Sequence, residues 1–276
     1  MKTKEVSAKD NTIDFGKDNT IDSAKDNTID SEPFLPQHPL ERLDNLILDD
    51  MKLWQRTDQF CFSIDAVILA HFVPIKQRFT YADLGTGTGV LPLILTARGA
   101  KQVVGFELNP ITADLAERNR RLNKKEDSIT IVQGDYCQLP MTTYNGAFDC
   151  IVANPPYFDV EHGKAPMSKD RQVALHESHT TIEEVAQAAS RLVKFGGMFC
   201  MIYGAERLMK ALMALETAKL TPKRLRFVHS FSHRDAKLVL IEARKGGRGG
   251  LQTMPPLYIY EDLNVYSEEV RTWYGK

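Results

Sequence analysis

The stretch VANPPYF, residues 152–158, carries an unusual combination of residue types at the end of an apolar segment. The preceding run FDCIVA is typical of a buried strand. Because proline fixes its own φ, lacks an N–H group and disfavours helix in the residue before it, Asn154 is predicted to be extended at the strand end. Such rigidity could hold hydrogen-bond acceptors in fixed directions. The alternative is a rigid turn that simply closes the strand.

A second candidate segment is YADLGTGTG, residues 81–89, which follows a strand-like run and precedes an apolar helix. Gly85, Gly87 and Gly89 would let the backbone turn tightly and approach a ligand at the helix N-terminus. Asp83 precedes them, and a carboxylate at this point would repel phosphate groups. A ligand with an ammonium group suits it better, and S-adenosylmethionine is the cofactor that fits this pattern.

Two further acidic residues follow the next predicted strands. Glu107 ends VVGFE, where an acidic side chain can accept hydrogen bonds from both ribose hydroxyls. Asp135, in QGDY, follows the third strand and could accept a hydrogen bond from an adenine amine. Each acid taken singly could instead be a helix cap or turn residue, Asp135 above all. Three acids at successive strand ends nevertheless indicate a ligand site, because open α/β sheets bind ligands at those ends.

The elements that would position these residues alternate along the chain from Thr80 onward. Strand-like runs are TYADL, KQVVGFE, SITIVQ, FDCIVA and GMFCMIY, and helix-like runs are VLPLILTARG, ITADLAERNRRLN, TIEEVAQAASRLVKF and ERLMKALMALETA. This order predicts an α/β, Rossmann-like fold with a doubly wound, mostly parallel sheet. The last two runs, TPKRLRFVHS and AKLVLIEARK, predict an antiparallel pair and thus an antiparallel edge strand.

Composition sets the class of protein. With 276 residues, 43% hydrophobic and 26% charged, the chain is long enough for one large domain or two small ones. Neither a signal peptide nor an apolar run of the roughly 18 residues that a membrane helix needs is apparent. We therefore expect a cytoplasmic protein. The four cysteines have no zinc-site spacing, so we expect no metal and reduced thiols.

The N-terminus repeats an octapeptide: KDNTIDFG, KDNTIDSA and KDNTIDSE. Each unit offers too little apolar surface to offset the entropy of ordering, so residues 1–36 are predicted to be a disordered tail and residues 37–276 the folded domain. A calcium loop is the alternative, but the glycine and terminal glutamate of an EF-hand are missing.

Charge is distributed unevenly. Residues 1–50 contain 6 Lys and Arg against 12 Asp and Glu, a net charge of −6, whereas residues 204–250 contain 11 against 4, a net charge of +7. The basic region permits a polyanionic partner, with a solvated charged face as the alternative.

The motifs DLGTGTG and NPPY together resemble those of the class I S-adenosylmethionine-dependent methyltransferases. Within that class, Asn-Pro-Pro-aromatic marks enzymes that methylate planar nitrogen, in adenine, cytosine, guanine or a glutamine amide. The segments FCFSIDAVILAHF, RQVALHES, TPKRLRFVHS, RKGGRGGL and PPLYIY extend the resemblance to bacterial tRNA adenine-N6 methyltransferases that modify adenosine 37 of a valine tRNA. The likeness covers roughly Pro39 to Tyr274.

This resemblance implies roles for the NPPY residues. The side-chain oxygen of Asn154 and the carbonyl of Pro155 would accept the N–H groups of the adenine amine and direct its lone pair at the methyl group. Tyr157 would stack on the flipped base. Pro156 and Phe158 would line the substrate pocket, although Phe158 could instead fill the core.

The resemblance also implies a role for the FS-x-D segment, and length, polarity and charge indicate one for the segment after NPPY. Ser63 and Asp65 of the FS-x-D segment would close over the methionine end of the cofactor, with helix capping as the alternative. The long polar segment 159–178 would cover the substrate. Its basic residues would contact tRNA phosphates, unless the segment is only a solvated loop: Lys164, Lys169, Arg171 and His176.

Two other functions compete with this hypothesis. A protein glutamine methyltransferase shares NPPY, but its relatives resemble one another through a helical N-terminal domain and a proline- and arginine-containing segment ahead of the glycine motif, where this sequence has the predicted disordered tail and FSIDAVILA instead. A non-catalytic RNA-binding module would keep the fold and lose DLGTGTG or NPPY, and both are intact here. No obligate protein partner is evident.

Overall fold

A computed structural model describes residues 35–46, 50–59, 61–139, 141–155 and 180–275. All of them fall within one compact unit, Pro33–Lys276. The octapeptide repeats lie outside the described residues, so the division into a tail at 1–36 and a domain at 37–276 stays a prediction.

The described elements begin with a hairpin and continue as alternating strands and helices. The strands are β1 (Glu41–Asn45), β2 (Lys52–Arg56), β3 (Thr80–Leu84), β4 (Gln102–Glu107), β5 (Ile129–Gln133), β6 (Phe148–Ala153), β7 (Val193–Gly204), β8 (Leu220–His229), β9 (Ala236–Lys245), β10 (Gln252–Thr253), β11 (Leu257–Tyr258), β12 (Tyr260–Asp262) and β13 (Val265–Tyr266). The helices are α1 (Ile64–Phe72), α2 (Val90–Ala97), α3 (Pro110–Leu122), α4 (Met141–Tyr144), α5 (Ile182–Leu192), α6 (Leu208–Thr217) and α7 (Glu268–Trp273), with a 3₁₀ turn at Ala205–Arg207.

A nine-stranded sheet organises the domain, in the order β10-β8-β9-β7-β6-β3-β4-β5, with β11 also paired to β8. Strands β5, β4, β3, β6 and β7 run parallel to one another. The chain leaves β3 first towards β4 and β5, then returns to add β6 and β7 on the other side. The predicted doubly wound, mostly parallel sheet is confirmed, and its switch point lies between β3 and β6.

The antiparallel pair forms as expected, with one difference in position. Strand β9 is antiparallel to both β7 and β8, and it lies between them. The crossover through α6 carries the chain past one strand position, and β9 fills the gap when the hairpin turns back. The short strands β10 and β11 then cover the outer side of β8, so the antiparallel strand is internal.

Burial follows the expected patterns. Strand β6 is buried from Cys150 to Ala153, and helix α2 is buried from Val90 to Thr96, as a central parallel strand and a covered helix require. Cys150 and Cys200 are fully buried free thiols in the core, where each serves as a small apolar side chain. Among the described residues, no helix is long and apolar enough to cross a membrane.

Candidate active site

The glycine segment and the NPPY segment emerge side by side at the switch point. Leu84, the last residue of β3, pairs with Phe106 of β4 on one side and with Ala153 of β6 on the other. The backbone therefore enters Gly85–Gly89 directly beside the point where it enters Asn154 and Pro155. This is the place at which open α/β sheets bind ligands.

The three glycines of the segment have different roles. Gly85 and Gly87 have φ of 74° and 56°, a conformation that favours glycine, and a Cβ at either would meet no atom within 4 Å. The space above both is therefore open for a ligand. A Cβ at Gly89 would lie 3.3 Å from the Cβ of Ala116, so this glycine allows the glycine segment to pack closely on α3.

Asp83 is the most unusual side chain in this region. It is 0% exposed, and among the described residues neither of its carboxyl oxygens has a hydrogen-bond partner. Burial raises the pKa of the Asp83 carboxyl group to about 7; the Thr86 hydroxyl nearby offsets part of that shift without completing a hydrogen bond, and the Glu107 carboxylate adds to it. A buried carboxylate without a partner is costly, so its presence fits a cationic ligand.

Glu107 is built differently, although it ends the neighbouring strand. Its Oε2 accepts a hydrogen bond from the Gly87 amide at 2.7 Å, and its Oε1 accepts one from the Asn109 amide at 2.9 Å. Asn109 in turn caps α3, because its Oδ1 accepts from the Ile111 amide at 2.8 Å. Glu107 therefore orients the glycine segment and the start of α3 together.

The remaining predicted cofactor residues make local contacts. Asp135 accepts hydrogen bonds from the Cys137 amide and from Nε2 of Gln138, both at 2.8 Å, so it shapes its own turn. Ser63 caps α1, since its Oγ accepts from the Asp65 amide at 3.3 Å. Both residues thus have the structural contacts that the sequence offered as alternatives, and their contacts with a cofactor stay predictions.

The substrate side of the site is described only as far as Pro155. Asn154 is partly buried and Pro155 is buried, directly after β6. The other predicted substrate residues lie outside the described residues: Pro156, Tyr157, Phe158, Lys164, Lys169, Arg171 and His176. In the described part of the chain, no group of three or more His, Cys, Asp or Glu side chains could hold a metal ion.

Two buried side-chain amides, which the sequence analysis missed, connect the N-terminal hairpin to the site. Asn119, fully buried on α3, donates to the carbonyls of Thr88 and Trp54, both at 2.9 Å, and accepts from the Trp54 amide at 2.6 Å. Gln55 accepts from the Phe62 amide at 2.8 Å, immediately before Ser63. Asn119 lies at helical spacing from apolar Leu115 and Ala116, and a polar residue on that buried stripe was the available signal.

Comparison with known proteins shows which families this chain resembles. The ribosomal protein L11 methyltransferase (PrmA) family model matches residues 57–155, from the hairpin through Pro155. A curated tRNA1(Val) (adenine(37)-N6)-methyltransferase of Porphyromonas gingivalis is 33% identical over 165 residues, which is 59% of this chain and 64% of that protein. The chain thus matches just under two thirds of that relative. The protein with the same description from Haemophilus influenzae is 33% identical over 162 residues, 58% of this chain and 68% of that protein.

Solved structures agree on the fold. A "predicted O-methyltransferase" of Agrobacterium tumefaciens has a TM-score of 0.61 at 21% identity and covers 76% of this chain and 95% of its own. The tRNA m1G37 methyltransferase of M. jannaschii has a TM-score of 0.53 at 16% identity, covering 76% of this chain and 58% of its own. At such identities the likeness shows a methyltransferase-type fold alone.

Proposed function

Because the chain belongs to the tRNA1(Val) (adenine(37)-N6)-methyltransferase family, we propose that it methylates the exocyclic N6 of adenosine 37 in a valine tRNA, with S-adenosylmethionine as methyl donor. The observation that carries this proposal is the pairing of β3 with β6, which sets the glycine segment beside Asn154 and Pro155. A tRNA substrate also implies that the protein acts in the cytoplasm.

The residues on the β3 and β4 side fit this cofactor. The buried carboxylate of Asp83 would bind the ammonium end, and Glu107, whose carboxylate oxygens retain acceptor capacity, would bind the ribose hydroxyls. The open space above Gly85 and Gly87 would admit the cofactor against the backbone. When bound, S-adenosylmethionine supplies an electrophilic methyl group on a sulfonium. Asp135 would accept from its adenine amine.

The segment before α1 would complete the cofactor pocket. Ser63 and Asp65 would lie over the methionine end, and the hydrogen bond from Phe62 to Gln55 supports a fixed path for that segment. Since Ser63 already caps α1, its backbone position is set by the helix, and its contact with a cofactor would be an additional role.

On the β6 side, catalysis would depend on orientation. The lone pair of an adenine amine is delocalised into the ring, so the nitrogen is a weak nucleophile. If the Asn154 side-chain oxygen and the Pro155 carbonyl accept its two N–H groups, the lone pair turns out of the ring plane towards the methyl group. The extra proton becomes acidic only after the N–C bond has formed, so no strong base is needed.

The residues after Pro155 would hold the RNA. Tyr157 would stack on the flipped adenine, with Pro156 and Phe158 lining the pocket. The basic residues of the following segment would contact phosphates: Lys164, Lys169, Arg171 and His176.

The proposal is tested by incubating the protein with methyl-labelled S-adenosylmethionine and an unmodified valine tRNA transcript, followed by digestion to nucleosides. We expect label in N6-methyladenosine. A transcript with guanosine at position 37 is the matched control and should accept no label. Label in the control transcript, or in cytidine or guanosine of either one, would overturn the assignment.

A parallel incubation with release-factor and ribosomal proteins tests the main rival, N5-methylation of a protein glutamine. The PrmA family model stops at Pro155, so its match covers the glycine segment and β6 and includes nothing beyond the start of NPPY. Label found in protein alone would replace the tRNA proposal with the protein one.

A further inference from the structure

The cations of the basic region 204–250 divide into two groups by their contacts. Cations along the bodies of β8 and β9 contact carboxylates or backbone carbonyls of the domain. Arg224 pairs with Glu242 at 2.9 Å, and Arg226 pairs with Glu269 at 2.6 Å. Lys245 donates to two backbone carbonyls, at 2.7 and 3.2 Å. Much of the excess positive charge therefore stabilises the domain and is not available to a partner.

The turn that joins β8 to β9 is different; we call residues 229–237 the carboxyl-edge turn. Arg234 and Lys237 are exposed there, and in the described ranges no carboxylate pairs with either side chain. Asp235 is the one acidic residue of the turn. The turn thus has a net positive charge that no carboxylate of the described residues neutralises by pairing with Arg234 or Lys237.

An aromatic stack ends at this turn. His233 stacks on Phe231 with centroids 5.6 Å apart, and Phe231 contacts Tyr260 at 5.5 Å. The series continues through Tyr266 at 5.2 Å to Tyr274 at 5.7 Å. Tyr274, at the inner end, is partly buried, and this burial raises its pKa to about 12. His233, at the outer end, is exposed. The stack therefore presents its last ring to solvent, where another planar ring could continue it.

The strand registers bring this turn to the same edge of the sheet as the active site. Ala153 of β6 pairs with Met201 of the parallel β7, and Gly204 at the end of β7 pairs with Leu238 near the start of β9. His229 therefore ends β8 at the edge where β6 ends. Three strand spacings separate β6 from β8, and the registers place His229 four residues beyond the level of Ala153, so the turn lies about 20 to 25 Å from Asn154, within reach of a few nucleotides.

We propose that the carboxyl-edge turn binds a nucleotide of the substrate tRNA near the target adenosine. Its base would stack on the His233–Phe231 end of the aromatic stack, and Arg234 and Lys237 would contact the adjoining phosphates. Single-stranded RNA is recognised by this combination of aromatic rings and cations. The inference rests on the proposed tRNA substrate and adds a second contact region to it.

The test compares three sets of variants in steady-state methylation of the valine tRNA transcript. His233→Ala and Phe231→Ala should each raise KM for tRNA about tenfold, the usual cost of losing one base-stacking ring, and leave its salt dependence unchanged. Arg234→Ala combined with Lys237→Ala should raise KM and also reduce the slope of log KM against log salt by about one for each phosphate that the protein no longer neutralises. The affinity for S-adenosylmethionine should not change in any variant.

Arg248→Ala is the control for loss of one exposed cation outside the turn, and it is compared with Arg234→Ala and Lys237→Ala as single variants. Arg248 is exposed beyond the other end of β9, about 30 Å from the turn along the strand. It should leave KM unchanged. Wild-type KM in both turn sets, or an effect of Arg248→Ala as large as theirs, would overturn the inference. Melting temperatures of all variants would verify that they fold.

Failure of the proposed function is distinguishable from failure of this inference. If wild-type protein forms no N6-methyladenosine, the proposed function is wrong, and the same variants are then compared by direct tRNA binding. Wild-type tRNA affinity in the turn variants would overturn the inference by that measurement too. If wild-type protein does form N6-methyladenosine and the turn variants keep its KM, only the inference is wrong.

Discussion

The two sides of the switch point present different functional groups, although only one strand spacing separates them. On the β3 and β4 side, the site presents carboxylates, one of them fully buried without a hydrogen-bond partner among the described residues. On the β6 side, the described residues Asn154 and Pro155 offer neutral oxygens at the end of a buried strand. A cationic cofactor is attracted by charge, whereas a weak nitrogen nucleophile needs orientation. Under the proposed function, neighbouring strands would divide these two tasks between them.

The β3 and β4 side contains a second contrast. Asp83 and Glu107 are acids at the ends of adjacent strands, yet Glu107 accepts two backbone amides and Asp83 accepts none from the described residues. Glu107 supports the fold of the site, whereas burial of the Asp83 carboxylate without a partner among the described residues costs stability. The contrast predicts that removing each charge changes stability in opposite directions.

The largest effect is expected on the β6 side. Asn154→Ala should lower kcat about a hundredfold to a thousandfold, as loss of an oriented transition-state hydrogen bond does elsewhere, without changing cofactor affinity. Asn123→Ala is the matched control, because Asn123 bonds Lys52 at the far end of α3. Measured together, kcat and the cofactor Kd decide the question, and a weakened Kd with normal kcat would assign Asn154 to the cofactor side.

Asp83→Asn should weaken binding of S-adenosylmethionine about tenfold to a hundredfold, because a charged hydrogen-bond partner is removed. In the cofactor-free protein the pKa of Asp83 is about 7. The affinity of the wild-type protein for S-adenosylmethionine should therefore rise with pH up to neutrality and level off above it. The variant should lack this dependence. Calorimetric titrations from about pH 5.5 to 8.5 measure both effects, and a variant that keeps the pH dependence would remove Asp83 from the site.

The same substitution should stabilise the cofactor-free protein. Folding raises the pKa of Asp83 from 3.8 to about 7, so its contribution to stability is lost as pH rises through that range. Asp83→Asn should therefore gain on the order of a few kcal/mol at about pH 8 and little at about pH 4. Urea unfolding at both pH values measures the difference, and equal gains would contradict the assigned pKa shift.

Glu107→Ala should act in the opposite direction. It leaves the Gly87 and Asn109 amides without their acceptor, so we expect a loss of about 1 to 3 kcal/mol in the free energy of unfolding, together with weaker cofactor binding. Increased stability in this variant would refute the contrast between the two acids.

The smallest effect is expected at Asp135. Asp135→Asn keeps an oxygen that can accept from the Cys137 amide, so the turn should persist and cofactor affinity should change by less than about threefold. A tenfold loss would show that the charge of Asp135 reaches the cofactor, in addition to shaping its turn.

Much of the fold followed from local patterns. The alternation of apolar strands and helices from Thr80 predicted the parallel sheet, and the tandem TPKRLRFVHS and AKLVLIEARK predicted the antiparallel pair. The internal position of β9 was not predicted, because pairing order depends on crossovers that span many residues. Asn119 and Gln55 were missed because a local pattern does not show their partners, which lie 31 residues away for the Thr88 carbonyl and across a turn for the Phe62 amide.

What the sequence by itself determined is the chemistry available: three glycines, three acids and an Asn-Pro-Pro-aromatic segment, each at a strand end, because those residue types constrain the backbone locally. Only the tertiary structure decided how the acids differ. Asp83 faces inward with no partner among the described residues, while Glu107 accepts two amides and Asp135 closes its own turn. Burial and hydrogen bonding depend on neighbours brought together by the sheet, and that arrangement leaves one carboxylate buried without a partner among the described residues.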